Sequence, residues 1–239
     1  MDYSMDRAYN RRYFSQGSSW LIWAGFALAA AGALIWWYAF EIWFIGTPIA
    51  LIGLGIGIFA MVRRIKDSDI DTQIERFTRD IEAEAVRKTG LDEKKLTTFP
   101  PHTINVFEFG RTPESMLKKG SDGKIRTSDF AACVFLFGAQ RMFVYRRAVS
   151  LIEDRLEETM DAFPYTDIDK VVQSQETFTC DKPAVNCKYG VLSLRVIRDG
   201  TSVEAFRTQT PLDADIDKMA DDINRFSERA RAKKEDTSA

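Results

Sequence analysis

Few residues in this chain are of the types that do chemistry, and their spacing argues against their doing it together. His102 is the single histidine and follows Pro100 and Pro101, a linker position rather than one that holds a base against a nucleophile. Cys133, Cys180 and Cys187 are an odd number of cysteines, which fits free thiols better than a disulfide framework. Cys180 and Cys187 have no histidine nearby, so a zinc site there lacks two of its four ligands. Carboxylates pair at Glu153/Asp154 and Glu157/Glu158, but neighbours on a strand point to opposite faces. No HExxH, GxSxG or Walker sequence occurs in a polar segment. Gly53-Leu54-Gly55-Ile56-Gly57 imitates a phosphate loop, yet it lies inside an apolar run where a phosphate cradle has no place. These residues predict no enzyme, no metal and no cofactor.

The strongest pattern is physical. From Trp20 to Val62 the chain holds one charge, Glu41. Trp20 to Phe40 supplies 21 uncharged residues, enough to span a bilayer. Thr47-Pro48 resembles a cap followed by a first-turn proline, which leaves 15 residues, Pro48 to Val62, for a second span. Trp20 and Trp23 mark one interface, and Trp36, Trp37 and Trp43 the other, because an apolar ring with a polar edge favours headgroup depth. Arg63 and Arg64 close the second span and can snorkel. Arg7, Arg11 and Arg12 precede the first span, Arg63, Arg64 and Lys66 follow the second, and the connection has no Lys or Arg. The positive-inside rule then places both termini in the cytoplasm of a multi-pass protein of the plasma (inner) membrane. Gly25, Ala29 and Gly32 on one helix, and Ala50, Gly53, Gly57 and Ala60 on the other, form small-residue stripes. Such stripes pack helices within a hairpin or between copies of the chain.

The rest of the chain is mildly acidic. Of 33 Lys+Arg and 35 Asp+Glu, 27 and 32 fall after Lys66, a balance that argues against nucleic-acid binding. Ser68 to Lys88 carries Ile70, Ile74, Phe77 and Ile81 at helical spacing, with Gly90 as a stop. It is expected as a juxtamembrane helix packed on the following domain, with a dimerising stalk as the rival. Strand patterns follow: Thr103–Phe109, Phe130–Phe137 (apolar on both faces), Met142–Ser150, Arg155–Phe163, Asp167–Thr177, Tyr189–Ile197 and Thr201–Thr208. Lys118 to Thr127 is expected as a polar loop, and Asp199-Gly200 as a hairpin turn. Thr210, Pro211 and Asp213 suggest the start of a last helix striped by Leu212, Ile216, Met219, Ile223 and Phe226. The expected division is a tail at 1–19, a transmembrane hairpin at 20–66, a juxtamembrane helix and linker at 67–96, a domain at 97–232 and a polar tail at 233–239.

Seven antiparallel strands capped by one helix resemble the pleckstrin-homology-like (PH-like) order. Arg141-Met142-Phe143-Val144-Tyr145 and Phe163-Pro164-Tyr165-Thr166-Asp167-Ile168-Asp169-Lys170-Val171 are similar to segments of bacterial PH-like domains, which often follow paired membrane spans. The resemblance covers roughly residues 103–232 and implies an α+β fold: a two-helix transmembrane hairpin, a stalk helix, and a seven-stranded antiparallel barrel or sandwich with a capping helix. In phosphoinositide-binding members a Lys-xn-Lys-x-Arg loop clamps phosphates, and Lys118, Lys119, Lys124 and Arg126 occupy the matching loop. The resemblance thus implies a membrane-anchored interaction module that binds a cytoplasmic protein. An anionic-lipid sensor acting through 118–126 is the alternative, and an oligomeric effector acting through its spans is the third reading. The expected partners are the bilayer, a cytoplasmic protein and, as a candidate, a second copy of the chain.

Overall fold

A computed structural model describes residues 6–15, 20–38, 43–62, 65–90, 100–181, 184–212 and 216–238. The chain divides into two compact units, one of Ala8–Ile70 and one built on Asp71–Ala239.

In the first unit, α1 (Arg7–Ser15) precedes two apolar helices, α2 (Trp20–Tyr38) and α3 (Trp43–Val62), and α4 begins after them (Asp67–Thr78). α1 lies where a tail was expected. Its Tyr9 and Tyr13 hydroxyls donate to Asp69 and Asp67, each at 2.7 Å, which fixes a short polar helix that propensity alone does not support. The Asp69 carboxylate also accepts the Lys66 N–H at 3.2 Å, reaching back over the start of α4.

α3 starts at Trp43, and Pro48 lies within it rather than at its first position. So near the start the missing proline N–H forfeits a single intrahelical bond. The earlier start matters: Phe44–Met61 is an 18-residue window of mean hydropathy 2.1, 17% buried, long and apolar enough to cross a membrane by length and composition. The apolar run of α2, Ile22–Tyr38, is shorter. Of the two expected spans, α3 alone reaches that length among the described residues.

The second unit is α+β. α5 (Ile81–Thr89) follows α4, and among the described residues nine strands and a final helix come after it. The strands are β1 (His102–Phe107), β2 (Leu117–Lys119), β3 (Ile125–Thr127), β4 (Asp129–Phe137), β5 (Arg141–Ser150), β6 (Leu156–Pro164), β7 (Ile168–Asp181), β8 (Ala184–Arg198) and β9 (Thr201–Thr210), and the helix is α6 (Asp217–Ser238). They form three antiparallel sheets, β1-β4-β5-β6, β2-β3 and β7-β8-β9. The expected seven strands are present, but the loop at 118–127 is itself a hairpin, and among the described residues no backbone ladder joins the four-stranded sheet to the three-stranded one. Asp199 (φ 51°) and Gly200 (φ 76°) make the tight turn between β8 and β9, since both central residues of a type I′ turn need positive φ.

All nine residues of β4 are buried because both of its faces are covered. Cys133, Phe135 and Phe137 enter a core with Met142 and Val144 of β5, Leu192 and Leu194 of β8, and Ile216, Met219 and Ile223 of α6. Phe130, Ala132, Val134 and Leu136 face the other way, with Tyr145, against Phe77, Ile81 and Ala85 of α4 and α5. The single helix expected over 68–88 is split at Arg79-Asp80. Thr78 Oγ1 donates back to the Ile74 and Glu75 carbonyls at 3.1 and 3.3 Å, competing with the helix ladder there. Gly90 ends α5 in the left-handed region (φ 66°) as expected. α6 begins later than its sequence signals suggest. Thr210 is the last residue of β9, paired with Gly190, and therefore cannot cap a helix; Leu212 is exposed.

Candidate functional site

Lys118, Lys119, Lys124 and Arg126 lie on the β2–β3 hairpin. Lys118 pairs across it with Arg126, and Lys119 with Ile125, so strand alternation sends Lys118 and Arg126 to one face and Lys119 to the other. The turn is closed by Gly123 (φ 79°), by the Gly120 N–H donating to the Lys124 carbonyl at 2.8 Å, and by the Lys124 N–H donating to Asp122 at 3.1 Å.

Arg126 does not extend into solvent. Its side chain is 3% exposed and grips Asp71 of α4 with two donors, Nε to Oδ1 at 2.9 Å and Nη2 to Oδ2 at 2.7 Å. The other edge of its fork holds Asp122 at 3.0 and 2.8 Å. These bonds, with the Lys124 amide and the Arg126 charge adding to them, lower the Asp122 carboxyl to about 2. Two carboxylates thus neutralise the residue expected to complete the phosphate clamp. Lys119 and Lys124 remain exposed at the hairpin tip and Lys118 is half-buried. The four cations do not converge on one point. They form no single pocket for one headgroup.

The helix-packing residues are brought together in the first unit. A Cβ on Gly25 would fall 2.5 Å from the Gly57 amide nitrogen, and one on Gly32 or Gly53 would overlap the Ala50 or Ala29 backbone. Gly46, absent from the sequence-derived stripe, packs on the Gly32 carbonyl. Ala60 is half-buried. Gly55 points into open space. Around this seam the other side chains face outward: Trp23 and Trp37 are 72% and 75% exposed, and Trp36, Leu51, Ile52 and Phe59 are exposed as well. Arg63, Arg64 and the Trp20 and Trp43 side chains lie outside the described residues.

His102 stands edge-on to Phe137 at 5.9 Å. Cys133 is fully buried with its Sγ 3.4 Å from Thr208 Oγ1, and burial pushes its thiol up to about 11. Cys180 and Cys187 are half-buried on the β7–β8 hairpin. Among the described residues no group of three or more His, Cys, Asp or Glu side chains could hold a metal ion.

Sequence reasoning missed the most tightly bound ionic group. Arg147 on β5 is 1% exposed and pairs with Glu84 of α5 and with Glu158 of β6, the latter at 2.9 Å. Its guanidinium carbon lies 5.5 Å from the Phe77 ring centre. Lys88 pairs with the same Glu158 and lies 5.1 Å from the Tyr145 ring centre. The hydrogen bond to Glu158 raises the Lys88 pKa. The group therefore fastens α5 to the sheet. An arginine in the strand pattern RMFVYRRAVS was its one sequence signal. A second clasp holds the loop after β1 to β9: the Phe109 N–H donates to Gln209 Oε1 at 2.8 Å and Gln209 Nε2 donates to the Phe109 carbonyl at 2.9 Å.

No protein-family model, no curated protein and no solved structure matches this chain.

Proposed function

We propose that this protein is a membrane-anchored, non-enzymatic interaction module. A helical hairpin tethers it to the plasma (inner) membrane with both termini cytoplasmic, and a PH-like domain faces the cytoplasm to bind a protein partner. The observation that carries the reading is the pairing, in one chain, of an apolar helix pair that turns bulky side chains outward with a separate α+β unit. A hairpin sealed along a glycine seam, with tryptophan and leucine on its outside, suits lipid and not water. In the second unit, four- and three-stranded antiparallel sheets followed by one helix support a PH-like order once the β2–β3 hairpin is taken as an insertion. Tethering raises the effective concentration of a weak binder at the membrane surface.

Membrane residence is tested by alkaline carbonate extraction of the full chain, which is expected to stay in the pellet; release into the supernatant overturns the anchor. Orientation is tested with Ser4→Cys and Thr237→Cys, each in a Cys180→Ser, Cys187→Ser background, and an impermeant maleimide, with labelling expected only after the cytoplasmic face is opened. Exposed Lys119 and Lys124 favour the lipid-sensing alternative. Liposome-reconstituted chain carrying Lys118→Ser, Lys119→Ser and Lys124→Ser is expected to recruit anionic vesicles as well as the parent does. A salt-sensitive loss of recruitment would favour the sensor instead.

A further inference from the structure

We propose that the outer edge of β7, from Gln173 to Thr179, pairs antiparallel with the same edge of a second copy of this chain. The inference goes beyond the interaction-module reading and uses the tether only as a source of local concentration.

The backbone register identifies the edge. The Val171 N–H donates to Asn224 of α6 at 2.8 Å, away from β8. The β7–β8 register is unbroken from Val171 onward, so alternation turns the amides and carbonyls of Gln173, Gln175, Thr177 and Thr179 outward as well. α6 satisfies the edge at Val171 and goes no further. No described residue bonds the outward groups of the next four positions, and Gln173, Ser174, Gln175, Thr177 and Thr179 are exposed.

The other outer edges of the four- and three-stranded sheets are protected. β6 carries Glu157, Glu158 and Asp161 and ends in Pro164. β1 and β9 lie side by side and are bridged by the Gln209 clasp. Natural sheets block exposed edges with charge, proline or a covering element. Gln173-Ser174-Gln175-Glu176-Thr177-Phe178-Thr179 has none of these on its outward positions. Its one charge, Glu176, is turned to the other face, where it accepts from Tyr189 at 2.9 Å and pairs with Arg207.

That charge also selects the occupant. An antiparallel edge can pair with itself about a two-fold axis, each N–H meeting a C=O. Centred on Thr177, the pairing sets Gln175 against Thr179 of the second copy and Glu176 against Phe178, so no two like charges meet. Centred one residue earlier it would oppose Glu176 to Glu176, which is destabilising. The edge is therefore self-complementary, and the register centred on Thr177 pairs the most outward positions, because one centred on Gln175 would oppose Thr179 to Val171, whose N–H Asn224 already holds. The edge is also short, well below the area of a stable free dimer, so the association needs the concentration that a shared membrane supplies.

The test uses the full chain in liposomes, in a Cys180→Ser, Cys187→Ser background, with flotation read on the same samples. Under mild oxidation Thr177→Cys is expected to give a disulfide-linked dimer. Gln175→Cys and Thr179→Cys are expected to cross-link when mixed and not when alone. Gln175→Lys added to Thr177→Cys is expected to reduce that dimer at least ten-fold, with an unchanged far-UV spectrum because the exposed side chain leaves the β7–β8 ladder intact. Chain that floats without cross-linking overturns the pairing and leaves the membrane reading standing. So does cross-linking that Gln175→Lys leaves unchanged, or self-linking at 175 in place of 177. Chain that does not float removes the tether and overturns both.

Discussion

Arg147 shows how a buried charge can hold an element in place. It is the largest fully buried side chain among the described residues, and two carboxylates, a tyrosine hydroxyl and an aromatic face surround it. Removing it by Arg147→Met takes a charged partner from Glu84 and Glu158 and leaves them Arg87 and Lys88, at an expected cost of about 2 kcal/mol. Converting Glu84 and Glu158 to Gln in the same chain is expected to restore much of that loss, and urea unfolding followed by far-UV dichroism measures both. Burial raises the Glu158 pKa, but hydrogen bonds from Lys88 and Tyr145 and the Arg147 charge outweigh it, leaving the carboxyl below its ordinary value of 4.5. A depressed carboxyl contributes stability above that value and loses it as pH falls through the folded pKa. Arg147→Met removes one of these contributions and leaves the Lys88 and Tyr145 hydrogen bonds, so it is expected to make the pH dependence of stability below about 4.5 shallower without abolishing it, and to leave the neutral range parallel to the parent. Cysteine reactivity separates in the same way. With its thiol buried and raised, Cys133 is expected to resist maleimide at neutral pH until the protein unfolds, while Cys180 and Cys187 label in the native chain.

Elements were legible where a local pattern and a tertiary demand agree. The doubly apolar run 130–137 is a strand buried on both faces, Asp199-Gly200 is a turn, Gly90 is a helix stop, and the Ile216, Met219, Ile223 stripe faces the core. They were illegible where a partner distant in sequence decides. Lys118–Thr127 is polar enough for a loop, yet it pairs as a hairpin whose Arg126 grips Asp71, distant in sequence. Thr210-Pro211 carries a helix-start signal, and pairing with Gly190 keeps Thr210 in a strand. The clamp residues were legible as cations; the two carboxylates that neutralise Arg126 were not. α2 and α3 lie between these cases: their glycine spacing announced close packing, and the structure supplies the register. All five tryptophans fall between residues 20 and 43, so tryptophan emission reports this unit alone. Gly53→Leu drives a side chain into the Ala29 backbone, whereas Gly55 has nothing within 4 Å. In detergent micelles Gly53→Leu is expected to lower the emission-detected melting temperature by many degrees and Gly55→Leu to leave it near the parent value.

At the scale of the whole molecule, the boundary of the second unit differs from the one that composition suggests. Pro100-Pro101 divides a helical segment from a strand-rich one in sequence, yet the main stretch of the compact unit starts at Asp71, so most of α4 and all of α5 belong to it. Phe130, Ala132, Val134, Leu136 and Tyr145 are at most 2% exposed because Phe77, Ile81 and Ala85 cover them. A fragment starting at residue 97 would open that face to water. It would also strand Arg147 without Glu84, Arg126 without Asp71, and Thr103 without the Glu82 carboxylate that its hydroxyl meets at 2.5 Å. Burial of apolar area is the main drive of folding, at roughly 25 cal/mol per Å², and a newly exposed apolar sheet face is an aggregation surface. Residues 71–239 are therefore expected to express as a soluble, cooperatively melting monomer at micromolar concentration, where the untethered β7 edge is too weak to associate. Residues 97–239 are expected to aggregate or to bind a hydrophobic dye without a sharp transition. Light scattering and dye binding on the two fragments decide it: a 97–239 fragment that melts as sharply as 71–239 would mean that α4 and α5 are an accessory to this fold and not part of its core.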